Sequence, residues 1–141
     1  MPRETPTAKP HILVVAAALY DAAGRVLIAQ RPAGKHMAGR WEFPGGKVGP
    51  QESEREALVR ELREELGVEV AAARPFMRLT HAYEDRDVVL SLWIVERFAG
   101  SALALDGQCL KWVEPAALAA EDILEADRPF IVALAATPLP A

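Results

Sequence analysis

The stretch GKVGPQESEREALVRELREELGV, residues 46–68, decides how the rest of the chain is interpreted. From Gln51 to Leu66 it contains no glycine or proline and is rich in Glu, Arg, Leu and Ala, most of which favour helix. Gly67 follows directly, and a glycine at this place commonly ends a helix in the left-handed conformation. The composition therefore predicts a helix over Gln51–Leu66 that ends at Gly67.

This predicted helix separates an apolar stripe from a group of carboxylates. At about 100° per residue, the apolar stripe consists of Leu58, Leu62 and Leu66. Glu61, Glu64 and Glu65 fall within a sector of about 100° on two adjacent turns. We therefore expect the leucines to dock on a sheet and the three glutamates to lie close together.

The glutamates allow two interpretations. Acidic faces of helices are usually solvated and contain ion pairs, and Arg60 can pair with Glu56 and with Glu64 four residues away. Three neighbouring carboxylates also repel one another, and a divalent cation between them would remove that repulsion. Mg²⁺ prefers carboxylate and water oxygens and could bridge such a group to the phosphates of a substrate.

The residues before the helix favour the second interpretation. Phe43-Pro44-Gly45-Gly46-Lys47 places two glycines and a lysine close to its start. Glycines let the backbone approach a ligand closely, and Lys47 is a mobile positive charge suited to a phosphate. By itself such a triplet is weak evidence, because it occurs by chance in many loops.

Apolar runs on both sides of the helix predict strands around it. The predicted strands are Ile12–Tyr20, Arg25–Gln30, Val68–Thr80, Val88–Phe98 and Gln108–Val113. The first two are expected to form a hairpin across the turn Asp21–Gly24, and residues 31–50 an irregular loop. Pro115–Ala120 and Arg128–Ala136 are predicted helices, the second with Asp127 able to cap it. The pattern indicates an α/β or α+β class with a mixed sheet.

Length, composition and charge exclude several classes of protein. The chain has 141 residues, of which 51% are hydrophobic and 26% are charged, the balance of a globular domain. We predict one domain over residues 11–137, a flexible lead over 1–10 and a frayed tail over 138–141. The net charge of −4 argues against nucleic acid as a partner. The single cysteine suits a reducing compartment, and no apolar run is long enough for a membrane span, so we expect a cytoplasmic location without a membrane partner.

The glycine, arginine and glutamates together resemble the Nudix box, Gly-x5-Glu-x7-Arg-Glu-U-x-Glu-Glu-x-Gly-U, where U is a bulky aliphatic residue. The matching residues are Gly46, Glu52, Arg60, Glu61, Leu62, Glu64, Glu65, Gly67 and Val68. The segment His36–Lys47 is similar to the MutT group of that family, and Trp93–Phe98 and Asp106–Gln108 match it more loosely. The resemblance implies a Nudix fold, an α/β/α sandwich around a mixed sheet, over about residues 12–136.

The resemblance also implies a reaction. Water would attack the β-phosphorus of a nucleoside triphosphate, giving the monophosphate and pyrophosphate. The implied cofactor is Mg²⁺, which Mn²⁺ can replace, because such cations neutralise the phosphates and lower the pKa of a bound water. By motif position, the implied metal ligands are the Gly45 carbonyl, Glu61, Glu64, Glu65 and Asp106.

Further roles follow from the same motif positions. Glu61 would be either a ligand or the general base, and Arg60 would orient it. Lys47 would hold the phosphates, and Glu52 would tie the loop to the helix or support the metal ligands from behind. Asp106 stands where the MutT group has Glu, so its shorter side chain is expected to reach a metal only through water; the alternative is an ordinary turn residue.

The resemblance places the base pocket on residues from several parts of the chain: Arg31, Phe43, Tyr83, Arg86 and Asp127. Phe43 and Tyr83 could sandwich a base or simply pack in the core, and Arg86 could instead pair with a neighbouring aspartate. Where the MutT group has Asn, which both donates to and accepts from 8-oxo-guanine, this chain has Asp127, which only accepts when ionised. An acceptor suits the exocyclic amine of cytosine, whereas a raised pKa would restore a donor to Asp127.

The function expected first is hydrolysis of 8-oxo-dGTP, which would cleanse the nucleotide pool and so protect DNA. The alternative is the same reaction on CTP, dCTP or 5-methyl-dCTP. A Nudix-fold module that senses nucleotides without catalysis is disfavoured, because such modules usually lose glutamates of the box and all are present here. The oligomeric state, monomer or homodimer, is left open.

Overall fold

The computed structural model describes residues 10–34 and 37–137, which form two β-sheets and two α-helices. The strands are β1 (His11–Leu19), β2 (Val26–Gln30), β3 (Trp41–Glu42), β4 (Gly45–Lys47), β5 (Glu69–Ala82), β6 (Asp87–Ala99) and β7 (Cys109–Val113). The helices are α1 (Glu54–Leu66) and α2 (Arg128–Ala136), and two 3₁₀ segments cover Pro115–Ala120 and Glu125–Asp127. The predicted tail and all but Pro10 of the predicted lead lie outside the described residues.

The larger sheet is mixed, as predicted. Its strand order is β4-β1-β6-β5, and β1 runs parallel to β6 whereas β4 and β5 pair antiparallel with their neighbours. The smaller sheet has the order β3-β2-β7 and is antiparallel. Parallel pairing requires a long connection between the two strands, and here the connection contains α1.

Strand β1 contributes to the cores beneath both helices. Its successive side chains point to opposite faces of the sheet, so one set packs with α1 and the other with α2. One core joins Val15, Ala17 and Leu19 to the leucines of α1, Leu58, Leu62 and Leu66. The other joins Ala16 and Ala18 to residues of α2, Phe130, Ile131 and Leu134. The three leucines of α1 are fully buried, so the predicted apolar stripe and the α/β/α sandwich are both confirmed.

Two sequence predictions about the strands are wrong. β1 and β2 do not form a hairpin; after the turn at Gly24 only Tyr20 and Val26 pair, and the strands continue in different sheets. Residues 31–50 are not wholly irregular, since β3 pairs with β2 and β4 pairs with β1. The first error arises because apolar patterns indicate a strand but carry no information about its neighbour. The second arises in part because Gly45 and Gly46 of β4 are poor strand formers.

The helix ends also differ in part. α1 begins at Glu54 rather than Gln51, because Ser53 and Glu56 form a reciprocal capping box. Its end at Gly67, with φ of 70°, is as predicted. Pro115–Ala120 is 3₁₀ rather than α, and the side chain of Asp127 makes no capping hydrogen bond to α2. Within the described chain, no helix is long and apolar enough to cross a bilayer.

Candidate active site

Arg60 is the centre of the polar face of α1. Its Nε and NH2 donate to the two carboxylate oxygens of Glu52 over 2.6 and 2.8 Å. Its NH1 donates to Glu61 over 2.9 Å and to Glu64 over 3.1 Å, and NH2 also reaches the Lys47 carbonyl over 3.1 Å. The hydrogen bonds that Arg60 donates to Glu52 and then to Glu61 raise the pKa of Arg60, so the guanidinium stays charged and fixes the orientation of the glutamates.

Glu52 connects this helix to the loop before it. Its Oε1 accepts from the Gly49 N–H over 2.8 Å while both of its oxygens bind Arg60. The hydrogen bonds from Arg60 and Gly49 lower the pKa of Glu52 to about 2. The geometry is that of the predicted tie between loop and helix. The predicted pairing of Arg60 with Glu56 is absent from the ion pairs of the described residues, because Glu56 instead completes the cap at Ser53.

The three predicted metal-binding glutamates of α1 have different environments. Glu64 is 59% exposed and Glu61 is 17% exposed, and both are held by Arg60. Glu65 is largely buried, and nothing in the described chain donates a hydrogen bond to its Oε2. Burial, then Glu61, Asp106 and Glu42, raise the pKa of Glu65 to about 9. An unpaired buried carboxylate oxygen among other carboxylates is a position that suits a cation.

Asp106 is brought toward this group by the loop after β6. Gln108 is buried; its Oε1 accepts from the Asp106 N–H over 2.9 Å and its Nε2 donates to the Glu65 carbonyl over 3.3 Å. Across residues 10–34 and 37–137, no three His, Cys, Asp or Glu side chains are already gathered around one point as in a completed metal site. Glu61 and Glu64 are bonded to Arg60 instead, so they would have to turn toward an arriving ion.

The glycines before α1 are required by close packing. Gly45 has φ of 156°, and a Cβ there would collide with the Val15 carbonyl oxygen of β1. A Cβ on Gly46 would lie 2.5 Å from the Glu61 carboxylate. β4 thus brings its backbone against both the sheet and the helix. Lys47, next along this strand, has an exposed side chain, which leaves it accessible to a ligand.

The residues predicted for base binding fall into two groups. In the first, Arg31 pairs with Glu42, and the Phe43 N–H donates to Asp127 Oδ2 over 3.4 Å. The Phe43 ring is only 4% exposed and packs edge-on against Phe130, so this residue offers its backbone to Asp127 while its ring lies in the core.

The second group lies at the turn between β5 and β6. The Arg86 guanidinium is 5.4 Å from the centre of the Tyr83 ring and pairs with Asp85 over 3.5 Å. His81 packs edge-on against Tyr83 and also lines a cavity of about 510 Å³ together with residues on both sides of Asp127. The other lining residues are Arg40, Ile123, Glu125, Arg128 and Pro129.

Asp127 is a buried acid, 6% exposed. Burial, then the charge of Glu42, raise the pKa of Asp127 to about 7, against the lowering effects of the Phe43 N–H and of Arg31. Near neutral pH this group therefore exists in two forms, one that can both donate and accept and one that only accepts.

Comparison with known proteins identifies the family. A family model described as "NUDIX domain" matches residues 15–133. The chain belongs to the Nudix family. It is similar to the CTP pyrophosphohydrolase of Escherichia coli K12, with 41% identity over 125 residues that cover 89% of this chain and 93% of that protein. The 8-oxo-dGTP diphosphatase of the same organism is 38% identical over 109 residues, covering 77% and 84%.

Solved structures of the Nudix family share the fold. The E. coli ORF135 protein superposes with a TM-score of 0.83 at 40% identity, covering 94% of each chain. The predictions of the family, of the fold and of a hydrolase are confirmed, and Nudix hydrolases generally use a divalent metal ion. All nine matching residues of the Nudix box lie on β4, on α1 or on the short segments that flank this helix.

Two residues of this site were given no role by sequence analysis. Glu42 was quoted only as part of the segment similar to the MutT group, and the structure shows that its charge acts on both Glu65 and Asp127. Gln108 belongs to the loosely matching segment Asp106–Gln108, and the structure shows that its side chain is buried and fixes the loop that carries Asp106. For Glu42, the available signal was its place directly before Phe43 and the two glycines.

Proposed function

We propose that this Nudix hydrolase cleaves nucleoside triphosphates to the monophosphate and pyrophosphate with Mg²⁺ or Mn²⁺, and that 8-oxo-dGTP is its substrate. The observation that supports the metal is the buried Glu65 Oε2 atom, which has no donor in the described chain and lies beside Glu61 and Asp106. Hard oxygen ligands of this kind match Mg²⁺. The ligands we propose are the Gly45 carbonyl, Glu61, Glu64, Glu65 and Asp106.

The cation, when bound, offsets the negative charge of the triphosphate and makes a water molecule more acidic. The protein's own contribution is orientation and proton transfer. Glu61 serves as ligand or as general base, and its hydrogen bond from Arg60 fixes the carboxylate. Glu52 holds Arg60 through two hydrogen bonds, and Lys47 extends from β4 to contact the phosphates.

The hydrogen-bonding capacity of Asp127 supports 8-oxo-guanine as the base. When protonated it can donate to O6 and accept from N7–H of 8-oxo-guanine, as an Asn would. Burial keeps a large fraction of this carboxyl protonated near neutral pH, because the pKa of Asp127 is about 7. Arg31, Tyr83 and Arg86 complete the proposed pocket around the nucleoside, and Phe43 contributes through its backbone N–H.

A second candidate is the same reaction on CTP, dCTP or 5-methyl-dCTP. The ionised form of Asp127 favours it, because a carboxylate accepts from the exocyclic amine of cytosine. The similarity to a protein named CTP pyrophosphohydrolase supports it as well. For either substrate we propose a catalytic domain over residues 11–137, a cytoplasmic location and a role in cleansing the nucleotide pool.

The test is a panel of 8-oxo-dGTP, dGTP, dCTP, CTP and 5-methyl-dCTP with Mg²⁺, with kcat/KM and products measured at about pH 6 and about pH 8. We expect the highest kcat/KM for 8-oxo-dGTP, with pyrophosphate released. With a pKa of about 7 for Asp127, the protonated fraction falls about tenfold and the ionised fraction rises about tenfold between these two pH values, so the ratio of kcat/KM for 8-oxo-dGTP to that for CTP should fall about a hundredfold. A preference for cytidine nucleotides at both would refute the first candidate and support the second.

The assignment of the catalytic helix has its own control. Glu61→Gln should lose about 10³-fold in kcat, because the variant can neither accept a proton nor bind a cation well. Glu69→Gln is the matched control, since the Glu69 side chain is exposed and pairs with Arg63 at the end of α1. Equal activity of both variants, or release of orthophosphate in place of pyrophosphate, would contradict the proposal.

A further inference from the structure

Glu42 belongs to the short strand β3, whose backbone is hydrogen-bonded on both sides. It pairs with Ala29 of β2, while its neighbour Trp41 donates to the Asp122 carbonyl and accepts from the Leu124 N–H, each over 2.9 Å. On the other side of Glu42, the Phe43 N–H donates to Asp127. The backbone at this position is therefore held against the segment that carries Asp127, and this fixes the point from which the Glu42 side chain extends.

The Glu42 side chain holds Arg31. One oxygen, Oε1, accepts from Arg31 Nε at 3.2 Å and lies 3.1 Å from Arg31 NH2 in an ion pair. Each side chain is 30% exposed, so the pair is half-buried and less screened than a surface ion pair. The Arg31 backbone is also fixed, because its N–H and carbonyl bond to Arg40 and Gly39 in the same loop.

The charge of the same carboxylate acts on both halves of the proposed site. Its charge contributes to the raised pKa of Asp127, which Arg31 opposes. Its charge also contributes to the raised pKa of Glu65 on α1. Glu42 lies outside the Nudix box and is none of the metal ligands or base contacts proposed above.

We propose that Glu42 is a positioning residue that sets base selectivity by holding the Arg31 guanidinium in one orientation in the proposed base pocket. This inference rests on the proposed function for the identity of the base pocket. A guanidinium has a planar array of donors, so its orientation decides which atoms of a base it can serve. Without the Glu42 carboxylate, Arg31 keeps its charge but loses the ion pair and the hydrogen bond to Oε1 that hold its guanidinium.

The experiment is a double-mutant cycle of Glu42→Gln and Arg31→Gln, read by binding without catalysis. Dissociation constants for 8-oxo-dGMP, dGMP and CMP are measured by calorimetry in EDTA. Loss of a charge-assisted hydrogen bond should reduce discrimination between the best and the worst base about tenfold in Glu42→Gln. Because Glu42 acts through Arg31, Arg31→Gln should cause a similar loss and the double variant should show no further loss.

Two controls separate this role from a general effect on folding. Asp122→Asn breaks the Arg40–Asp122 ion pair of 3.1 Å at the same strand and should leave discrimination unchanged. Carbon-13 NMR of the Asp127 carboxyl gives a second readout, since Glu42→Gln removes a charge that raises the pKa of Asp127 and should lower it. If Glu42 only supported the fold, Glu42→Gln would reduce the affinity for all three nucleotides equally and leave the pKa of Asp127 unchanged.

Unchanged discrimination in Glu42→Gln, or losses in the two single variants that simply add, would overturn the inference. The proposed function has a separate outcome. If wild-type protein hydrolyses none of the triphosphates, that function fails while the binding ratios still report on Glu42. If wild type is active and Glu42→Gln selects its base as wild type does, the function stands and the role of Glu42 is wrong.

Discussion

Replacement of Asp127 by Asn should make the protein more stable, increasingly so as the pH rises. The carboxyl is 6% exposed, and its pKa rises from an ordinary 3.8 to about 7 in the folded chain. Between these two values the native state binds more protons than the unfolded state, so stability falls as the pH increases. Asn is neutral throughout and keeps an oxygen that can accept from the Phe43 N–H.

The size of the effect follows from the two pKa values. At 1.36 kcal/mol for each pKa unit, a change from 3.8 to about 7 destabilises the wild type by about 4 kcal/mol above pH 8. At pH 5 the same relation gives about 2 kcal/mol, so the advantage of Asp127→Asn should grow by about 2 kcal/mol between pH 5 and pH 8.

The assay is urea unfolding of both proteins at several pH values without metal or nucleotide. Asp122→Asn serves as the control, because the Asp122 side chain is 67% exposed and the variant measures what any surface change of this kind contributes. An advantage of Asp127→Asn that is the same at pH 5 and pH 8 would refute the reasoning, because it would mean that Asp127 ionises alike in the folded and unfolded chain.

Further predictions concern α1 and the strand before it. Arg60→Lys should fold but lose about 10²-fold in kcat, measured by steady-state kinetics, because Lys lacks the fork that orients the glutamates. Gly46→Ala should lower kcat to a similar extent with little change in Tm, since its Cβ would lie 2.5 Å from the Glu61 carboxylate. Mg²⁺ should raise the Tm of the wild type in a thermal-shift assay, and Glu65→Gln should lose most of that rise. Leu62→Ala should cost about 2–5 kcal/mol in urea unfolding, because Leu62 is fully buried.

The fold could be predicted from sequence to the extent that it depends on local pattern. The leucine stripe of α1 and its end at Gly67 follow from helical spacing and from the conformational freedom of glycine, and the structure has both. The partners of the strands do not follow, because β1 and β2 are equally apolar yet join different sheets. β4 was missed for a related reason: Gly45 and Gly46 are poor strand formers, and their pairing with β1 depends on the absence of side chains there.

The candidate site divides in the same way. The nine box positions could be identified because they lie within 23 residues, where the helix itself determines which side chains are neighbours. The electrostatic connection between the helix and the proposed base pocket depends on residues far apart in sequence, since the charge of Glu42 raises the pKa of both Glu65 and Asp127. Only the folded chain brings them together. In the proposed base pocket, the residue type at 127 would therefore not determine the base alone, because Glu42 raises and Arg31 lowers the pKa of that carboxyl.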